Sequence, residues 1–374
     1  MTAALATRSV MLAAGGTGGH LFPAFALAQE LARRAIAVDL VTDMRGDRYG
    51  ADFPARAVYR VPSATLAGRS PTAAAETAWM LMRGTAAAFR LLGQVRPGAV
   101  VGFGGYPAFP PLAAAWLRRI PTALHEQNAV LGRANRMLAR RVTAIATSFE
   151  HTRHLQGPAL ARARLTGNPV RDQVIEWSAQ PYQAPHPEGP FSLLVFGGSQ
   201  GARFFSDTVP AALALLSAEV RAKLFVVQQC REEDLARVEG AYREAGVRAH
   251  LATFFSNLPE EMAKAHLVIA RAGASTVSEL TVMGRPSILV PLPHAVDNDQ
   301  LQNAGRLAES GGAWCIEQKE LTPERLAGAL GRLLGSPQLL AEAAAAARRQ
   351  GRPDAVQRLA DLVEELVGRG GKTA

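Results

Sequence analysis

Short apolar runs rich in Val, Ile and Leu alternate along the chain with longer Ala- and Leu-rich stretches in which apolar residues return at helical spacing. That alternation predicts parallel α/β layers, because a strand buried on both faces reads as a continuous apolar run and parallel pairing needs a crossover helix. Strands are expected at residues 10–14, 38–42, 58–61, 99–102, 122–124 and 144–146, then at 192–196, 224–228, 267–270, 287–290 and 313–316. Helical patterns at 22–34, 206–216, 275–283 and 300–310 fall between them.

The pattern restarts half-way. Gly15-Gly16-Thr17-Gly18-Gly19 is echoed by Gly197-Gly198-Ser199-Gln200-Gly201, each after a buried strand and before a helix. Two copies imply two Rossmann-like domains, residues 1–167 and 168–350, with parallel sheets facing an interdomain cleft. The joint is placed at the turn-favouring Gly167-Asn168-Pro169. A ligand is expected between the carboxyl ends of the two sheets. A last helix at about 353–366, within the segment 351–370, is expected to pack back on the first domain.

Composition narrows the class. The chain has 374 residues, 48% of them apolar, which suits two globular domains with cores of their own. Only Cys230 and Cys315 are present, too few for a disulfide framework or a cysteine metal site, so a reducing cytoplasm fits. No secretory signal is read, because Arg8 interrupts the first apolar stretch and no cleavage site follows. The longest uncharged run, 97–117, carries eight Gly and Pro residues and is expected to be a strand, a loop and a helix start rather than a membrane span.

Charge is uneven. Residues 1–167 hold 20 Arg and no Lys against 8 acidic residues, whereas 168–350 hold 17 basic and 20 acidic. A basic half predicts an anionic partner, lipid headgroups or a phosphorylated substrate. Without a zinc-finger, basic-zipper or RNP signature, no nucleic acid is expected.

Several strand exits carry chemistry. The first glycine loop departs from the dinucleotide fingerprint at Leu21, leaving only Asp43 to support a nicotinamide reading, and no P-loop motif occurs. His20, at a helix start, is equally a general base or a capping histidine. Gly102-Phe103-Gly104-Gly105-Tyr106 is a further glycine loop, and His125-Glu126-Gln127-Asn128 reads as a cleft wall or a hydrogen-bonded turn. Arg171 is a diphosphate ligand or a surface salt-bridge residue, and the helix opened by Ser199-Gln200-Gly201 is placed to receive phosphates on its amides. Glu279 is a ribose ligand or a solvated carboxylate, and Gln300 a reader of sugar hydroxyls. Asp297-Asn298-Asp299 has the D-x-D pattern of some metal sites, but no metal is expected there.

These motifs occur in the order and spacing of one family. The chain resembles MurG, the transferases that move N-acetylglucosamine from UDP to undecaprenyl-pyrophosphoryl-N-acetylmuramyl-pentapeptide (lipid I). The resemblance rests on Gly15 to His20, Gly104-Gly105-Tyr106, His125 to Asn128, Gly167 to Arg171, Gly197 to Arg203, Arg271 to Glu279 and His294 to Gln300. It implies a GT-B fold, inversion at the sugar carbon, lipid II as product and no required cofactor. It implies an acceptor- and membrane-facing first domain and a UDP-N-acetylglucosamine-binding second one.

By position it assigns diphosphate contacts to Arg171 and Ser199, with Gln200 beside them as a substrate-binding residue. Phe255 and nearby backbone lie around uracil and Glu279 on ribose, with Ala274, Ser275 and Thr276 as further substrate-binding residues. Gln300 reads the N-acetylglucosamine hydroxyls, and Thr17, Gly18, Gly19 and Asn128 lie near sugar and acceptor. His20 is the candidate base. Ala108 stands where many relatives carry Ser. The competing readings are a UDP-N-acetylglucosamine epimerase of the same architecture and a non-catalytic membrane-surface protein.

The stretch 73–92, read as a helix, has an apolar arc too wide for one sheet. Trp79, Met82, Ala86 and Phe89 form one stripe, edged by Arg83 and Arg90; Leu81, Ala88 and Leu92 form another. Trp79, Met82 and Phe89 are expected to dip into the headgroup layer while Arg83 and Arg90 bind anionic phospholipid, at the cytoplasmic face of the cell membrane. Other cell-wall synthesis enzymes are further candidate partners.

Overall fold

The computed structural model describes residues 9–15, 18–42, 53–64, 71–198 and 202–370. The chain divides into two compact units, Met1–Arg171 with Pro353–Ala374, and Asp172–Arg352. The division falls between Arg171 and Asp172, four residues beyond the joint expected at 167/168, so Asn168 and Arg171 belong to the first unit.

In the first unit the strands are β1 (Ser9–Ala13), β2 (Ala37–Thr42), β3 (Ala57–Arg60), β4 (Ala99–Gly102), β5 (Thr122–Glu126), β6 (Ala144–Thr147) and β7 (Ala163–Leu165). Its helices are α1 (Gly18–Arg33), α2 (Pro71–Val95), α3 (Phe109–Leu117) and α4 (Arg133–Leu138). The second unit holds α5 (Asp172–Ser178), β8 (Phe191–Phe196), α6 (Arg203–Ala214), α7 (Ala218–Lys223), β9 (Leu224–Gln229), α8 (Leu235–Glu244) and β10 (Arg248–Ala252). It continues with α9 (Leu258–Lys264), β11 (Leu267–Ala270), α10 (Ala274–Met283), β12 (Ser287–Leu289), α11 (Asp299–Glu309), β13 (Ala313–Cys315), α12 (Pro323–Leu334) and α13 (Pro337–Gln350). The closing helix α14 (Ala355–Gly370) belongs to the first unit.

Both sheets are parallel throughout, in the orders β3-β2-β1-β4-β5-β6-β7 and β10-β9-β8-β11-β12-β13. Each order reverses direction once, between β1 and β4 and between β8 and β11. Such a switch point splays the two outgoing loops apart and leaves room for a ligand. The strands missing from the sequence reading are β7 and β10, both at sheet edges. Arg164 is exposed in β7, and the first three residues of β10 are exposed, so neither strand shows the apolar run of a covered one.

Helix α1 starts at Gly18, four residues before the apolar periodicity that predicted it, and so takes Gly18, Gly19 and His20 into its first turn. Helix α14 lays Leu359, Ala360, Val363 and Leu366 into the core cluster formed by β1, β2, β4 and α1. Val367 covers Gly98, where an added Cβ would lie 3.1 Å from Cγ1. Arg34, in the turn just after α1, ties the two helices, bonding Glu30 at 2.8 Å and Asp361 at 2.6 Å. Leu359 is fully buried, so Leu359→Ala is expected to destabilise the first unit by about 2–5 kcal/mol, read as a shift of the denaturant midpoint at unchanged slope.

Candidate active site

The first switch point brings two glycine loops together. From β4 the chain turns through Gly104 (φ 83°) and Gly105 (φ 72°, ψ 164°) before α3. The Gly105 conformation is essentially restricted to glycine. The His20 ring from the first turn of α1 rests on this turn. A Cβ on Gly105 would stand 3.2 Å from His20 Cδ2 and 3.3 Å from Nε2, and one on Gly104 would stand 3.4 Å from Cε1. The turn therefore acts as a seat for the imidazole that any larger residue would push away. Gly19 is exposed, with nothing within 4 Å of where a Cβ would be, so its backbone is open to close approach. Gly18 packs on the Phe22 ring, and the Arg171 guanidinium lies 5.5 Å from the centre of that same ring.

The cleft-wall reading of residues 125–128 needs correction. His125, Glu126 and Gln127 are fully buried, and only Asn128 is partly exposed. His125 donates from Nε2 to the Gly167 carbonyl at 3.0 Å, which leaves Nδ1 to accept from Gln127 at 3.1 Å. Gln127 also donates to the Phe103 carbonyl at 2.8 Å, tying β5 to the glycine turn. Glu126 accepts from the Asn128 amide, the Gly132 amide at 2.9 Å and Asn135 Nδ2 at 2.8 Å. Its side chain thereby holds the loop that presents Asn128. Burial pushes the Glu126 carboxyl up against these bonds, and burial drives His125 down to about 4.

In the second unit the exits of β11 and β12 are locked by side chains from α11. Gln300 Oε1 accepts from the Ala272 amide at 3.3 Å and the Leu292 amide at 2.9 Å, while Asn303 donates to the Ala272 carbonyl at 3.1 Å. Gln300 thus has its carbonyl committed to shaping the loop. Sequence reading missed Arg271 as a scaffold. It is buried, donates to the Val290 carbonyl at 3.1 Å and Gln318 at 2.6 Å, and stacks on Phe205 at 5.0 Å. A basic residue directly after a buried strand was the available signal.

Ala274, Ser275 and Thr276 form the first turn of α10. No side chain caps that turn, and the buried Ser275 Oγ has no hydrogen-bond partner among the described residues. Glu279 sits one turn further, 6% exposed. Phe255 is buried edge-on to His250, whereas its neighbour Phe254 is 69% exposed, so the open aromatic face of that loop belongs to Phe254. Asp297 and Asn298 take left-handed conformations ahead of α11, and Asp299 accepts from the Gln300 amide at 2.7 Å. Among the described residues no three His, Cys, Asp or Glu side chains gather as a metal site. Thr17, Ser199, Gln200 and Asp43 lie outside the described residues.

Two family models match, the glycosyltransferase family 28 N-terminal domain over residues 10–147 and its C-terminal domain over 192–359. The chain belongs to glycosyltransferase family 28. A family 28 relative from Methylobacterium sp. (strain 4-46) is 55% identical over 357 residues, covering 95% of this chain and 96% of its own. One from Rhizobium etli (strain CIAT 652) is 50% identical over 365 residues, covering 97% and 96%. Both are named UDP-N-acetylglucosamine–N-acetylmuramyl-(pentapeptide) pyrophosphoryl-undecaprenol N-acetylglucosamine transferase.

The crystal structure of Acinetobacter baumannii MurG superposes with a TM-score of 0.79 at 31% identity, covering 96% of this chain and 99% of that one. The fold is GT-B. A UDP-N-acetylglucosamine 2-epimerase from Neisseria meningitidis superposes at 0.66 with 13% identity, covering 96% and 100%, a likeness of fold alone.

A second feature of this family 28 chain lies on α2. Its two stripes separate as buried and open: Leu81, Ala88 and Leu92 enter the core, while Trp79 and Met82 are 57% and 59% exposed and Phe89 is also exposed. Arg83 and Arg90 are exposed beside them. Arg118 stacks 3.9 Å over Phe89, and Arg141 stacks 5.3 Å over the exposed Trp116. No helix among the described residues is long and apolar enough to cross a membrane.

Two outcomes follow from the buried geometry. Gly105→Ala is expected to cost about 1–3 kcal/mol of stability and, by displacing His20, to lower glycosyl transfer about 10²-fold, measured by denaturation and steady-state kinetics. From pH 6.5 down to about 4 the unfolded chain takes up a proton at residue 125 that the folded chain refuses. Stability conferred by neutral His125 is therefore complete above pH 6.5 and lost as pH falls through that window, on the order of 3 kcal/mol in total. His125→Gln keeps a donor toward Gly167 without titrating, so its denaturation midpoint is expected to vary less steeply across the same window.

Proposed function

We propose that this chain transfers N-acetylglucosamine from UDP-N-acetylglucosamine to the 4-hydroxyl of N-acetylmuramic acid in lipid I, giving lipid II for peptidoglycan synthesis. The observation that carries this reading is the 50–55% identity, over nearly the whole chain, to transferases of that name. The seat of His20 on Gly104 and Gly105 supports it.

In the proposed mechanism the His20 imidazole takes the proton from the acceptor hydroxyl. The oxygen then attacks the anomeric carbon as the bond to UDP breaks, and the sugar carbon inverts. Negative charge leaves with UDP and is taken up by the Arg171 guanidinium, by Ser199 and Gln200, and by the amides opening α6 and α10, so that no resident metal is required. Thr17, Gly18, Gly19 and Asn128 hold sugar and acceptor on the first unit. On the second, Glu279 accepts from ribose hydroxyls, Ser275 and Thr276 contact the nucleotide, and the aromatic loop at Phe254 and Phe255 borders uracil. With its carbonyl engaged, Gln300 reads the sugar through its amide nitrogen.

The lipid acceptor requires work at a membrane surface. Trp79, Met82 and Phe89 are suited to the headgroup layer, and Arg83 and Arg90 to anionic phospholipid at the cytoplasmic face. His20→Ala is expected to lower turnover of labelled UDP-N-acetylglucosamine with a short-chain lipid I analogue by about 10²–10⁴-fold while leaving UDP affinity, measured by calorimetry, unchanged. Near-normal turnover in that variant rejects His20 as the base, and failure of the unaltered protein to bind UDP rejects the reaction.

A further inference from the structure

Between α2, α3 and α4 lies a groove of about 730 Å³ walled by Leu81, Met82, Phe89, Phe109, Leu117 and Met137, with Arg90 its one charged lining residue among those described. Small side chains, Ala86 of α2 and Ala113 of α3, keep it open. Helices α2 and α3 run side by side in the same direction: Gly84 packs on Pro110 near the start of α3, and Gly93 packs on Arg118 just past its end. Phe109, at one end of the groove, is the first residue of α3. It follows the turn from Gly105 through Pro107, which carries the His20 ring. Leu117, at the other end, lies eight residues further along α3, about 12 Å away at the helical rise.

We propose that this groove holds the proximal part of the acceptor's polyprenyl chain, leading it from the diphosphate-sugar end at His20 out toward the bilayer. The inference rests on the proposed reaction, since only an acceptor anchored at His20 needs a hydrocarbon track that begins there. The acyl chain of a bystander phospholipid has no such requirement. At the far end Arg90 and the Arg118 guanidinium stacked on Phe89 are placed to meet anionic headgroups where the chain passes into the membrane. Each methylene buried in such a slot strengthens binding about fourfold, so tail length becomes part of substrate recognition rather than a passive anchor.

The test measures equilibrium binding without vesicles and without turnover. Two acceptor analogues share one sugar-diphosphate head and carry either a dimethylallyl or a farnesyl tail. The farnesyl compound is expected to bind at least about tenfold tighter. Filling the groove in Ala86→Trp, and separately in Ala113→Leu, is expected to reduce that preference below about twofold with affinity for the dimethylallyl compound unchanged, which shows that the first unit of each variant folds. Trp79→Ser is expected to weaken co-sedimentation with anionic vesicles yet keep the tail preference, which separates the slot from the membrane-facing stripe. Equal affinity for both tails, or an undiminished preference in both filled variants, overturns the proposal. Normal transfer without a tail preference counts against the slot alone, and an intact preference without transfer counts against the reaction alone.

Discussion

Parallel pairing is the constraint from which the candidate site follows. Strand β1 is flanked by β2 on one side and β4 on the other, all pointing the same way. The chain leaving β1 and the chain leaving β4 must therefore depart to opposite sides of the sheet, and their first residues remain neighbours at its carboxyl edge. That is why His20 meets Gly104 and Gly105 although the two segments are far apart in sequence. The second unit repeats the arrangement with β8 between β9 and β11, and the loop after β11 becomes the approach to α10.

A loop at a sheet edge is useful only when it is held still, and both units do this with buried polar side chains. Glu126 collects donors from Asn128, Gly132 and Asn135, and His125 and Gln127 bridge β5 to Gly167 and Phe103. Arg271, Gln300 and Asn303 do the equivalent around Ala272 and the exit of β12. Each such group stranded without its partner would cost about 1–3 kcal/mol, so these networks resist rearrangement. The side chains that shape the pockets are thus largely different from those left open to a ligand, such as Thr276 and Phe254.

The surface of the first unit shows why its arginines accumulate. Arg34 fastens α14 to α1, Arg118 and Arg141 lie over exposed aromatic rings, and Arg83 and Arg90 flank the open stripe of α2. Guanidinium suits this work because it stacks on aromatic faces and stays charged there. On the proposed reading, this apolar face ringed by stacked cations serves both attraction to anionic headgroups and shelter for hydrocarbon.

Local sequence was sufficient for features that depend on neighbours along the chain. The alternation of apolar runs located the covered strands, the repeated glycine loops showed two units of one design, and the ordered motifs led to the family. Elements at the sheet edges, β7 and β10, stayed hidden because one side of them faces solvent and no apolar run is required. Tertiary structure alone decided the rest. It buried His125, Glu126 and Gln127 where an open wall was expected, turned Phe255 inward and Phe254 outward, placed Arg171 in the first unit, and seated His20 on Gly105. Burial and hydrogen-bond partnership are set by residues that meet only after the strands pair, and a periodicity read along one segment carries no information about what the sheet will bring beside it.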